Sequence, residues 1–503
     1  MPDLFFLMSK TITIHLQAIG ESVKVSRGTP LIDVLHEFGI EFPCGGMGTC
    51  GKCKVKLLDG NLKMDPVQQQ KLNKLGLTCN WRLACFCSAE EDITLEILQF
   101  ENIILADSTQ FRFKPKTGHG IAFDLGTTTL VAQLVNLENG HILRSVSDVN
   151  PQVRYGADLI SRIQSCLDGN QTDLQLLIRQ KADKMIHSLL KDHPVEISKI
   201  NIVGNTAMHH IFSGISVAPL SQYPFYSPEK GSQHFTPEQL NWNLNKTDIH
   251  FYPSIGSFVG SDILAGIAAT QMAFRDEFIV LVDLGTNGEI VVGNRERIVC
   301  ASTAAGPAFE GAKISQGMRA STGAISSVTF ENGKIKHHVI GNVPARGICG
   351  SGLIDAIAGL IETGQIGIFG EFENGEEKIE IAPGVAITQQ DIREFQLAKA
   401  AVATGIQILM NKLEISFENI SQIFIAGGFG NFLNIGNVIR TGLIECEAEK
   451  IVKFGNTALI GAKMFLFEED SFIDEILVKT THVNLEADPA FQDIYIEKMM
   501  LFC

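Results

Sequence analysis

The 503-residue chain has no run of ~18 uninterrupted apolar residues, so no segment has the length and composition of a membrane-spanning helix. It also lacks a basic excess: 41 Lys and Arg stand against 56 Asp and Glu, a formal net charge of −15. That deficit excludes a sequence-independent nucleic-acid binder, which neutralises phosphates with a basic footprint. It leaves a nucleotide site open, because such sites use local amides and Mg²⁺. No secretory leader is expected either. Leu4-Phe5-Phe6-Leu7-Met8 is too short for the apolar core of a leader and follows Asp3, not a basic cluster. Met8 is an alternative start, since Ser9-Lys10-Thr11 leads directly into a strand pattern. The expected location is cytoplasmic. With 45% hydrophobic and 19% charged residues the chain is an ordinary globular one, not a disordered one. Its length suits two to four domains of ~100–200 residues. No Ser/His/Asp or Cys/His nucleophile set is recognisable.

What the chain does have is a crowded amino end. Six of eleven cysteines lie between residues 44 and 87: Cys44, Cys50, Cys53, Cys79, Cys85 and Cys87. In a cytoplasmic chain such clustering favours metal ligation over disulfides. The surrounding pattern is a small module. Thr11–Leu16 alternates as a half-buried strand, Gly20 sits in a turn, and Val23 and Val25 alternate in a second strand. A helix follows, with Thr29 as N-cap, Pro30 at its first position, an apolar face at Leu31, Val34, Leu35 and Phe38, and Gly39 at its stop. A last strand covers Ile93–Ile97. This is the order of a β-grasp ferredoxin.

The cysteine loop, Pro43-Cys44-Gly45-Gly46-Met47-Gly48-Thr49-Cys50-Gly51-Lys52-Cys53, has C-x5-C-x2-C spacing. Its glycines let the backbone wrap a cluster and aim N–H groups at the sulfurs. The plant-type [2Fe–2S] spacing is C-x4-C-x2-C with a distant fourth Cys; the extra residue resembles adrenodoxin-like variants. A four-Cys zinc site normally uses paired C-x2-C knuckles, and only one such pair occurs here. The fourth ligand comes from Cys79, Cys85 or Cys87. Cys85 is preferred because Arg82-Leu83-Ala84-Cys85 resembles the segment carrying the last ligand in that family; Cys87 ranks second and Cys79 third. Lys52, Lys54 and Lys56 flank the ligands, either as a solvated strand edge or as a docking surface for an acidic redox partner.

Residues 98–118 read as a linker. Beyond them a strand, a polar turn and a second strand appear at Ile121–Ala132, with Asp124-Leu125-Gly126-Thr127-Thr128 in the turn region. The pattern recurs 159 residues later, with Asp283-Leu284-Gly285-Thr286-Asn287. Two such turns at domain-scale separation indicate an internal duplication. Gly lets the hairpin approach phosphate oxygens, Thr hydroxyls and amides donate to them, and an Asp at the strand end holds Mg²⁺. Two facing hairpins would grip a polyphosphate between lobes 119–275 and 276–503. Ile423–Ala426 is a buried strand ending in Gly427-Gly428, and Gly347–Asp355 is a glycine-rich turn opening a helix, where Gly350 and Ser351 amides suit an anion. These segments resemble the phosphate and adenosine motifs of the acetate and sugar kinase, Hsc70 and actin (ASKHA) superfamily. Gly347–Asp355 is also similar to a segment of ATP-driven dehydratase activators.

Three other features are less specific. Adjacent His209 and His210 project differently from a helix, which suits a structural or cleft-lining role better than a metal pair. Ser302–Ser315 either lines a cleft, meets a partner or is surface filler. Cys300 and Cys349 read as small buried hydrophobes.

Taken together, "PCGGMGTCGKC", "GNTAMHHIF", "AAGPAFEGA", "GICGSGLIDAI" and "IAGGFGNFLNIGN" resemble, over residues ~9–503, the ATP-dependent reductive activators of corrinoid proteins. The resemblance implies an α/β multidomain protein: a [2Fe–2S] ferredoxin domain at 9–97 followed by a duplicated ASKHA ATPase. Some longer relatives carry a further domain between the two, for which the linker here leaves no room. It implies an enzyme that takes an electron from a low-potential donor and returns a corrinoid protein from Co(II) to Co(I) with ATP and Mg²⁺. Cys44, Cys50, Cys53 and Cys85 would hold the cluster, and Asp124 and Asp283 would position Mg²⁺ and the hydrolytic water. Thr127, Thr128, Gly285, Thr286 and Asn287 would hold phosphates. Gly427 and Gly428, with Gly350 and Ser351, would seat the adenosine. Relatives are often homodimers. Two alternatives remain: an activator of a radical dehydratase, or a small-molecule kinase with a redox-sensing ferredoxin.

Overall fold

A computed structural model of the 503-residue chain describes residues 11–17, 21–35, 48, 53–74, 77, 80–97 and 113–501, less residues 157, 192, 286, 312, 319, 321, 322, 332, 374, 431 and 432. Strand β1 (Thr11–Leu16) buries Ile12, Ile14 and Leu16 on one face, the period of two that its alternation demands. It pairs antiparallel with β2 (Glu21–Ser26). Then come α1 (Leu31–Leu35), β3 (Lys54–Asp59), α2 (Pro66–Lys74), β4 (Trp81–Leu83) and β5 (Ile93–Ile97). The sheet order is β2-β1-β5-β3-β4, with β1 and β5 parallel at its centre. This is the β-grasp arrangement. The start of α1 differs from expectation. Thr29 and Pro30 pair with Ala89 and Ser88 as a two-residue strand, and the Thr29 hydroxyl donates to the Ser26 carbonyl at 2.6 Å, so it caps no helix. Ladder pairing has taken the backbone that a cap would need. Gly20, Phe38 and Gly39 lie outside the described residues.

The first lobe begins with the antiparallel strands β6 (His119–Leu125), β7 (Thr129–Asn136) and β8 (Ile142–Val149). It continues through β9 (Ile197–Val203), α3 (Thr206–Ser213), β10 (Gln233–Phe235), β11 (Asp248–Phe251) and α4 (Ser261–Thr270). Its sheet runs β8-β7-β6-β9-β11-β10, with β6, β9 and β11 mutually parallel. The second lobe repeats the plan. Strands β12 (Phe278–Leu284), β13 (Gly288–Gly293) and β14 (Ile298–Thr303) form the antiparallel meander. A three-stranded sheet follows, made of β15 (Ala324–Glu331), β16 (Lys334–Val339) and β17 (Gly347–Ile348), and then α5 (Gly350–Glu362) and α6 (Gln389–Leu413). The main sheet is completed by β18 (Ile420–Ala426), which leads into α7 (Gly427–Gly430), by β19 (Ile451–Gly455), which leads into α8 (Thr457–Met464), and by β20 (Thr480–His482). Its order is β19-β18-β12-β13-β14-β20. Five strands of each lobe therefore share one order and one set of directions, and the duplicated hairpins occupy equivalent positions. The sixth strand joins opposite edges: β10 lies beside β11, and β20 beside β14.

The lobes meet where α4 crosses α8. Every α4 residue except Asp262 is buried. A side chain at Gly461 would overlap the Ala265 carbonyl, and one at Gly266 would meet Leu281 and Thr457. The small residues let two backbones approach where larger ones would hold them apart. The ferredoxin unit also packs on the second lobe: one hydrophobic cluster contains Leu31, Ile32 and Leu35 together with Ala324, Ile340 and Cys349. Helix α1 touches the Ile340–Asn342 turn directly.

Gly461→Ala is expected to destabilise the protein by about 1–3 kcal/mol, overpacking outweighing the helix propensity of Ala. A fall in the midpoint of thermal or urea unfolding measures it.

Candidate redox centre and nucleotide cleft

Cys53 precedes β3 and Cys85 lies in the turn after β4, and the antiparallel pairing of those strands brings them together. The Ala84 amide donates to the Cys53 carbonyl at 2.7 Å, and the Sγ atoms of Cys53 and Cys85 stand 3.2 Å apart with no disulfide between them. Cys87 has a different setting. It is buried (4%), its thiol lies 3.8 Å from Gln68 Oε1, and burial pushes its pKa up to about 12. It therefore stays protonated beside a structural glutamine, while Cys85 faces Cys53. Gly48, inside the cysteine loop, has φ +68°, and any side chain there would run into the Phe86 ring. This close-fitting glycine and the sulfur pair suit a thiolate-ligated cluster. Cys44, Cys50 and Cys79 lie outside the described residues.

The two hairpin aspartates converge at the lobe junction. Asp124 ends β6, and its Oδ2 accepts from Asn456 Nδ2 at 2.8 Å, Asn456 being the N-cap of α8. Asp283 ends β12, opposite Glu289 of β13. Gly427, with φ +85°, brings its Cα so close that a Cβ would stand 2.8 Å from Asp283 Oδ1. Asp262, in the first turn of α4, joins the group electrostatically. Burial is the main cause that raises these carboxyls. Asp124 is held up to about 6, and Asp283 up to about 7 with help from the Asp124 charge. Asp262 is raised to about 7, and Glu289 well above the usual carboxylate range. Among the described residues no three of these acids stand close enough to hold a metal ion by themselves. The four are coupled electrostatically, and raised proton affinity at such a junction suits groups that handle a proton or share a cation with a bound ligand.

The turns around them are braced. Asn150 Nδ2 donates to the Gly126 carbonyl and its amide to the Thr128 carbonyl, both at 2.9 Å. Asn205 Nδ2 donates to Thr127 Oγ1 at 2.9 Å. In the second hairpin the Gly285 amide donates to the Asn287 carbonyl at 3.1 Å. Thr286 lies outside the described residues, and Gly428 continues α7. Gly350 and Ser351 are tied to another layer: Ser351 is buried (2%) and its hydroxyl donates to the Ser326 carbonyl at 2.8 Å. Between the lobes lies a cavity of about 400 Å³ lined by Asp158, Phe225, Phe258, Asn287, Lys313 and Asn484. Ser302, Ala304 and Gly306 line it as well, so with Lys313 part of the Ser302–Ser315 segment is cleft wall.

Sequence reasoning missed Asp262, Glu289, Asn205 and Asn456. The available signal for Glu289 was a lone acid in an apolar strand; for Asn205 and Asn456 it was an Asn directly after a buried strand. The histidines do meet, contrary to their expected divergence, because α3 is buried through Phe212. Their Nδ1 atoms are 3.4 Å apart, and their Nε2 atoms lie 3.1 Å from the Gly231 carbonyl and 2.6 Å from Ser227 Oγ. Burial pushes their pKa values down to about 3 and about 4, so both are neutral structural groups. Cys300 and Cys349 are buried, at 0% and 3% exposure.

A β-grasp unit with paired thiols, joined to a duplicated two-lobed fold with carboxylates at the lobe junction, defines an iron–sulfur protein fused to an ASKHA domain. Residues 14–90 match the 2Fe–2S iron–sulfur cluster binding domain, 119–275 the RACo middle region, and 277–503 the C-terminal ASKHA domain of RACo. With 35% identity over 423 residues to the corrinoid activation enzyme RamQ of Eubacterium limosum (77% of this chain, 71% of that protein), the chain belongs to the RACo family, the reductive activators of corrinoid proteins. It is 27% identical over 419 residues to the [Co(II) methylated amine-specific corrinoid protein] reductase of Methanosarcina barkeri, covering 75% of this chain and 76% of that one. The solved reductive activator for corrinoid, iron–sulfur protein superposes with a TM-score of 0.68 at 27% identity over 97% of this chain and 98% of its own. Among the described residues no helix is long and apolar enough to cross a membrane.

For each raised carboxyl the unfolded chain ionises first, near pH 4, so its contribution to stability is full below that pH and is lost as pH rises toward 7. The cation-free protein should lose a few kcal/mol over this window, about 1.4 kcal/mol per tenfold change in proton affinity. Asp283→Asn should flatten the slope, read as urea-unfolding midpoints from pH 4 to 8.

Proposed function

We propose that this chain reduces the cobalt of a corrinoid protein from Co(II) to Co(I) by one electron, driven by ATP bound and hydrolysed between the lobes. The observation that carries the reading is the presence, in one chain, of the Cys53–Cys85 thiol pair and the Asp124–Asp283 carboxylate locus. Cys44, Cys50, Cys53 and Cys85 are the proposed ligands, with Cys85 preferred because its sulfur faces that of Cys53 while Cys87 lies beside Gln68. A [2Fe–2S] cluster there supplies a one-electron carrier near ~−400 mV, and ~59 mV separates each tenfold step in the equilibrium with a lower-potential acceptor.

The remaining work falls to the protein. Asp124 and Asp283 would hold Mg²⁺ and orient water, with Asn456 fixing the Asp124 carboxylate. Asp262 and Glu289 raise the proton affinity of the same locus. Thr127, Thr128, Thr286 and Asn287 bind phosphates, and Asn205 aims the Thr127 hydroxyl. Gly427 and Gly428 admit the nucleotide close to the backbone. Because the two hairpins belong to different lobes, a nucleotide held by both favours the closed arrangement, and that differential binding is the only source of coupling. Closure reshapes the surface offered to the corrinoid partner. The electron enters from a low-potential donor.

The test mixes reduced holoprotein with Co(II) corrinoid proteins, with and without Mg-ATP, and follows the Co(I) absorption band. Asp283→Ala should keep its iron but lower ATP-dependent Co(I) formation by about 10²-fold or more. Full ATP-dependent activity in that variant would overturn the carboxylate assignment.

A further inference from the structure

Helix α2 braces the cysteine end of the ferredoxin unit with two side chains one turn apart. Gln68 Oε1 accepts from the Leu83 amide at 2.9 Å and lies beside Cys87. Lys71 does something different. Its Nζ donates to the Gly48 carbonyl inside the cysteine loop and sits 5.6 Å from the centroid of the Phe86 ring. Phe86 immediately follows Cys85, and its ring is the surface against which Gly48 packs. A single ammonium therefore touches Gly48, two residues before Cys50 and five before Cys53, and the ring of Phe86, the residue after Cys85. Among the described residues no carboxylate lies within ion-pair distance of it. Its charge is free to act on whatever negative charge the cysteines gather.

We propose that Lys71 is a positioning residue that sets the reduction potential of the cluster; this rests on the cluster reading above. Reduction adds one electron, and so one negative charge, to an already anionic assembly of thiolates and sulfides, and no proton accompanies it. A fixed cation beside the loop stabilises the reduced form more than the oxidised one. The Phe86 ring keeps that cation in place and shields one side of it from water, where a lysine on an open surface would be screened. Lys71 therefore makes the cluster easier to reduce by the donor, and the uphill transfer to cobalt correspondingly steeper.

The test is a redox titration of the reconstituted full-length protein with dithionite, followed by EPR and visible absorption at low salt. Lys71→Gln keeps a donor for Gly48 but removes the charge, and Lys71→Arg keeps the charge. Lys71→Gln should reduce the equilibrium constant for cluster reduction about tenfold, a midpoint ~59 mV more negative. Iron per chain and the oxidised spectrum should not change. Lys71→Arg should match the wild type, and the difference should shrink as salt is raised. A Lys71→Gln midpoint equal to wild type, with the cluster intact, overturns this proposal and leaves the cluster reading standing. A wild-type protein that takes up no iron overturns both.

Discussion

The crossing of α4 on α8 is the contact on which the cleft depends. Gly461 against the Ala265 carbonyl, and Gly266 against Leu281 and Thr457, bring two helix axes closer than side chains would allow. Each helix follows the strand two places from the first hairpin strand of its lobe, β11 or β19, so the crossing brings together the ends of two sheets that are far apart in sequence. The N-termini of both helices then point at the same place. Asp262 arrives on one and Asn456 on the other, beside Asp124 and Asp283. A carboxylate cluster of this kind is costly to bury, and helix amides, Asn caps and hairpin turns offset part of that cost.

The fold was largely legible because its signals are periodic or repeated. Alternation identified β1, the cysteine spacing marked the redox module, and the recurring Asp-Leu-Gly-Thr announced two equivalent lobes. The shared strand order extends that duplication further than the motif did. The turn at Gly204-Asn205 after β9 is the counterpart of Gly427-Gly428 after β18, an equivalence visible only once each strand is seen to pair in parallel with the first hairpin strand of its lobe, β6 or β12. The residues that sequence missed are single polar groups whose role no motif assigns, even where, as for Asn205, the surrounding segment was singled out. Asn456 matters because α8 aims it at Asp124, 332 positions away along the chain. Thr29 was misread because local capping preference lost to pairing with Ala89, a contact that no short window contains.

The paired thiols and the carboxylate locus occupy separate units with different physical settings. The cysteine end needs close backbone approach and a fixed charge environment, supplied by Gly48, Phe86 and α2. The lobe junction gathers acids of raised proton affinity near the ends of β6 and β12.

The two units nevertheless share a seam. Leu31, Ile32 and Leu35 of α1 close one apolar cluster with Ala324, Ile340 and Cys349, and Cys349 is the residue that opens α5. Prising the ferredoxin unit away would wet hydrocarbon on both sides, so the integrity of each module is thermodynamically linked to the other's. By reciprocity, whatever rigidifies the start of α5 tightens the grip on the redox module, and loss of that module loosens the lobe that carries it.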